Sequence, residues 1–240
     1  MFSNSLYPIV LQRLWQGVGG ILTVIFIAHF LTPEKQGWFY TFISIASLNF
    51  VFEMGLSTAL IQISAHMFNK IRWLSDGRVE GDNAKVFLSF FVTSFRVYVL
   101  LSMLFFTIVF FIGFFIFKAK TSTEISNWLI PWIFLMLATA FNMITIPFLS
   151  VSEGSGELHE VYLIRLLQGI LGSVLTWLVL FIHGSLWAAS MPSIASFTIA
   201  CIWVISKKNN LLKLGLSKSR IENQFDWGGR IVASSMANRT

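Results

Sequence analysis

Charge is scarce in this chain. Only 12% of its 240 residues are charged, against 55% hydrophobic, where a soluble domain carries about a quarter charged residues. That shortage excludes an ordinary soluble domain and points to an integral membrane protein. Cysteine is nearly absent as well: Cys201 stands alone in an apolar run, which rules out an intramolecular disulfide. The opening residues MFSNSLYPIVLQR lack a basic stretch ahead of the apolar run, so no cleavable signal is expected. A phosphate-cradling glycine loop followed by Lys-Ser or Lys-Thr is also missing, which leaves ATP-driven transport by this chain unsupported. The formal charge of +6 does not imply nucleic acid, because the basic residues are interleaved with apolar spans rather than gathered on one polar face.

What is present is a succession of apolar runs. They predict an all-α, six-transmembrane-helix bundle over residues 1–206, with spans near 7–31, 38–62, 97–117, 128–151, 161–183 and 185–206. Residues 207–240 read as a basic cytoplasmic tail without a seventh span. The run from Val86 to Phe117 is too long for one crossing, so Val86 to Arg96 is expected to lie at the interface ahead of the third span. With the N-terminus in the cytoplasm, fourteen of the seventeen Lys and Arg residues fall inside, and Lys35, Lys118 and Lys120 fall outside. This positive-inside bias places both termini in the cytoplasm.

Two spans carry polar seams that cannot face lipid. Arg13, Gln16, Gly17, Gly20 and Thr23 share a face of the first, and Asn49, Glu53 and Ser57 recur every four residues on the second. Counted down from the outer face, Arg13 and Glu53 lie at roughly 27 Å and 22 Å depth at helical rise. An ion pair between them is therefore expected, alongside a bland alternative in which Arg13 snorkels and Glu53 is merely hydrogen-bonded. The stretch SEGSGELHE reads as a solvated acidic turn, its glycines disfavouring a helical cluster of Glu153, Glu157 and Glu160.

LTPEKQGWFYTF leading into FVFEMGLSTALIQ, together with SEGSGELHEVYLIRLLQ, resembles polysaccharide flippases of the multidrug/oligosaccharidyl-lipid/polysaccharide superfamily over about Leu6 to Lys208. The resemblance implies one lobe of a two-lobe transporter of the bacterial inner membrane. Such a transporter moves a lipid-linked oligosaccharide, its partner in the bilayer, by alternating access. It also implies that the sequence is a truncated N-terminal lobe, completed by a missing C-terminal lobe or a second copy. In that frame Arg13, with Arg165 and Arg96 as weaker candidates, would bind a lipid diphosphate, for which the planar guanidinium suits, while Glu53 would position Arg13 or take part in ion coupling. Candidate cavity residues are Arg13, Gln16, Asn49, Glu53, Ser57 and Arg165. No cofactor, metal or catalytic role is expected, and the competing readings are a non-transporting scaffold and a membrane-embedded glycosyl- or acyltransferase.

Overall fold

The structure, a computed structural model, describes residues 3–68, 71–74, 79–81, 84–120 and 126–216. Lys70, Arg78 and the tail from residue 217 onward, all counted in the charge bias, lie outside the described residues. Helix α1 (Ser3–Phe30) is followed at once by α2 (Pro33–Ala46). The turn between them is held by side chains. Thr32 caps α2, with Pro33 in its first turn, and the Gln36 amide donates to the Leu31 carbonyl at 2.9 Å, satisfying an end of α1 that the next helix cannot.

The second apolar run is not one helix. It continues as α3 (Asn49–Glu53) and α4 (Leu56–Met67), with a 40° bend at the break. Met54 and Gly55 both take left-handed backbone, at φ 49° and 74°. Two such residues in succession end one helix and restart another. The four-residue seam of Asn49, Glu53 and Ser57 expected on a continuous helix is therefore interrupted between its second and third members. Replacing Gly55 by alanine is expected to cost about 1–2 kcal/mol, the penalty of a Cβ in left-handed backbone, whereas Met54→Gly should be neutral or stabilising. Thermal midpoints in detergent check this; an unchanged midpoint for Gly55→Ala would mean that the break relaxes at no cost.

A hairpin of β1 (Ile71–Trp73) and β2 (Val79–Gly81), paired antiparallel, precedes α5 (Ala84–Lys120). Helix α5 runs unbroken through Arg96 for 37 residues, about 55 Å at helical rise. The helix is not divided at Arg96, and Phe87, Phe91 and Phe95 before it are buried against the rest of the bundle. Helices α6 (Ser126–Gly154) and α7 (Leu158–His183) follow, then a 3-10 turn (Leu186–Ser190), α8 (Met191–Lys207) and α9 (Asn209–Leu216).

Helix α1 lies along α7, α7 along α8, α8 against α6, and α6 against α5 and α4. Two aromatic-rich clusters stack along the bundle. One gathers Phe42, Phe105, Phe117, Trp128 and Trp132 around the α2, α5 and α6 ends; the other gathers Phe87, Phe91, Phe148, Val161, Trp203 and Leu211. The outside is apolar too: Val10, Leu14, Val18, Ile21 and Ile25 of α1 are each more than half exposed. So large a bare apolar surface suits lipid and not water. Among the described residues five helical stretches are long and apolar enough to cross a bilayer, and the bent α2–α4 makes a sixth. The chain is an all-α, multi-pass membrane protein.

Candidate functional site

Because α1 leans on α7 and touches α2 little, a groove of about 420 Å³ opens between α1, α2, α7 and α8. Small residues set its shape. A Cβ at Gly19 or Gly169 would come within 3.2 Å of Ser173 Oγ and Trp15 Cδ1 respectively, and one at Gly172 within 3.1 Å of Pro192 Cα. These glycines let Trp15 lie down between α1 and α7, where it meets Trp177 at 6.2 Å between ring centroids. The lining is uncharged and mainly apolar, with Trp15, Val24, Ile27, Phe39 and Ile43 among its walls, and a few polar groups are set into it: Gln16 and Thr23 from α1, Gln168, Ser173 and Thr176 from α7, and Ser196 from α8.

Part of that polarity is committed to structure. Gln168 Nε2 donates to the Ser196 carbonyl at 2.9 Å, and Trp177 Nε1 donates to Thr23 Oγ1 at 2.9 Å. Another part is free. Trp15 Nε1, and Gln12 Oε1 just outside the lining, are buried without a hydrogen-bond partner among the described residues, a state that native interiors rarely leave unexplained. The groove is thus an uncharged, largely apolar channel with a few amide and hydroxyl groups along its α1, α7 and α8 walls.

The six sequence-derived cavity residues fall into two sets. Arg13, Gln16 and Arg165 stand on α1 and α7, with Gln16 lining the groove. Arg13 is exposed, and its charge reaches the Tyr162 phenol on α7. Arg165 is engaged by Glu153, with 2.6 Å between Nη2 and Oε2, while the Tyr162 hydroxyl donates to the other carboxylate oxygen at 3.1 Å. Asn49, Glu53 and Ser57 stand instead at the helix break. There Tyr98 of α5 donates to Glu53 Oε1 at 3.4 Å, and Asn49 Oδ1 is buried without a partner. No ion pair joins Arg13 to Glu53 among the described residues. Matching depth was not enough, since α1 packs along α7 while α3 turns Glu53 toward α5.

The acidic turn is likewise not a solvated loop. Each of its carboxylates has a partner: Glu153 holds Arg165, Glu160 holds Lys207 at 3.3 Å, and Glu157 holds Lys208 at 2.6 Å. Lys208 is 3% exposed, and its ammonium sits 3.4 Å from the centroid of the Trp73 ring on the hairpin. Trp73 Nε1 in turn donates to Ser155 Oγ at 2.7 Å. Hairpin, acidic turn and the start of α9 are thus tied at one ammonium group.

Sequence reasoning missed Trp15, Thr176 and Ser196. No family model, curated protein or solved structure matches the chain. Fold and site together define the class: a multi-pass membrane protein with an uncharged groove among its spans.

Proposed function

We propose that this protein is a flippase that moves a lipid-linked oligosaccharide across the bacterial inner membrane for cell-surface polysaccharide or lipopolysaccharide synthesis. It acts as one lobe of a transporter of the multidrug/oligosaccharidyl-lipid/polysaccharide superfamily, with both termini in the cytoplasm. The observation that carries this reading is the groove between α1, α2, α7 and α8. Its few amide and hydroxyl groups suit sugar hydroxyls, which need donors and acceptors but no compensating charge, and its apolar walls suit the rest of an amphiphilic, lipid-linked molecule. Arg13, exposed on α1 three residues before Gln16, adds the cation that a diphosphate entering a low-dielectric region demands. The facing wall comes from a second lobe or a second copy.

The test is aqueous access. In a Cys201→Ser background, single cysteines at Gln16, Ser173 and Ser196 are expected to react with a charged, membrane-impermeant thiol reagent in intact membranes. A cysteine at the lipid-facing Ile202, which is 64% exposed in the bare protein, should be protected. Protection at all four positions would replace the transporter by a scaffold whose polar seams serve packing alone.

A further inference from the structure

At the end of the bundle opposite the acidic turn, a second cavity of about 460 Å³ lies between the starts of α2 and α6 and the 3-10 turn. Its size falls within the range of small-molecule pockets. Three indoles form its walls. Trp38 and Trp128 are stacked, with 6.2 Å between centroids and 17° between planes, and Trp187 comes from the 3-10 turn. Pro131 and Leu186 complete the apolar part of the lining, and Thr32, Glu34, Lys35 and Ser185 supply a hydrophilic part.

Two features separate this cavity from a packing defect. Trp128 is 2% exposed, yet its Nε1 has no hydrogen-bond partner among the described residues, so an unsatisfied donor is buried in the cavity wall. Glu34 is exposed and has no ion-pair partner among the described residues, while neighbouring Lys35 is fixed by donating to the Gly184 carbonyl at 3.1 Å. Aromatic walls beside a rim of carboxylate, ammonium and hydroxyl groups match a molecule that is apolar on one face and rich in hydroxyls at its edge. A hydrocarbon chain would leave the rim unpaired, and a bare cation would meet one carboxylate beside a lysine. A pyranose ring fits both parts.

We propose that this pocket is a saccharide-binding site at the non-cytoplasmic end of the bundle. Trp187 and Trp38 pack against the C–H face of a sugar ring, and Glu34 accepts from its hydroxyls. The site deepens the transport reading, on which it rests for its purpose, but binding is measured without transport.

The experiment presents the purified full chain in lipid nanodiscs to an array of oligosaccharides built from neutral hexoses, N-acetylhexosamines, deoxyhexoses and uronic acids. The native chain is expected to retain at least one of these. Trp187→Ala and Glu34→Gln should each weaken it about tenfold or more, and Trp187→Phe, which keeps an aromatic face, should stay within about threefold of native. Trp187 lies outside the buried core and Glu34 is exposed, so folded variants are expected, and monodisperse elution confirms them. No binding to any glycan by the folded native chain overturns the proposal. So does binding that both variants leave intact. Loss in Gln16→Ala in place of the pocket variants would move the saccharide to the groove, overturning this site while the transport reading stands. Binding at the pocket with protected groove cysteines would do the reverse.

Discussion

Lys208→Ala is expected to cost about 3 kcal/mol, read as a large fall in the thermal midpoint in detergent. Removing one member of a buried ion pair leaves the other charged and unpaired, which costs about 3–5 kcal/mol. The low end applies because the Glu157 side chain is 23% exposed and water can reach it. The ammonium also rests on Trp73, so the hairpin loosens with it. Lys208→Met combined with Glu157→Gln should recover most of the loss, since a packed neutral pair needs no desolvated charge; if the double variant were as unstable as Lys208→Ala, the role of the ion pair would be wrong.

The pH response follows from the same geometry. Burial is the main influence on Lys208 and lowers its pKa below 10.5, with Glu157 acting in opposition. The unfolded chain, with the higher lysine pKa, then binds more protons than the folded one between the two values, so stability contributed by this group rises with pH through that window. The native midpoint should therefore gain on that of the Lys208→Met, Glu157→Gln chain as pH is raised toward 10.5.

Gly113→Ala is expected to destabilise by about 3 kcal/mol or more, the upper end of overpacking. Helix propensity alone predicts the opposite, a gain of about 1 kcal/mol. Packing decides the sign. An added Cβ would overlap the Trp132 indole, which is 0% exposed and enclosed by Phe42 and Phe117 at centroid distances of 5.2 Å and 5.0 Å. The ring is also held by its Nε1 bond to the Phe110 carbonyl at 3.3 Å, so it has nowhere to turn. Gly17→Ala serves as the comparison, for nothing lies within 4 Å of its added Cβ. Equal midpoints for the two variants would show that the α5–α6 contact has slack.

Long helices were legible because apolar length is a local property, visible in a window of about 20 residues. The break at Met54 and Gly55 was not, since hydropathy does not change across it and only backbone angles record it. Arg96 misled in the other direction: a charge suggested a division where the helix continues. For the groove, Gln16 was legible from its seam, whereas Trp15 joined it only through room left by Gly19 and Gly169. The acidic turn was misread for a related reason. Two of its neutralising partners, Lys207 and Lys208, stand some fifty positions downstream, and no local pattern announces such a meeting.

Helix α5 supplies Phe87, Phe91 and Phe95 to one apolar cluster and Phe105, Val109 and Phe117 to the other. It packs chiefly against α6, and along that side of the bundle it forms a single stiff axle. Were that axle to tilt by about 10°, its far end would swing on the order of 10 Å over its roughly 55 Å length. Leverage of that kind needs no relay of side chains between the two faces of the membrane; one rod, gripped at both ends, suffices.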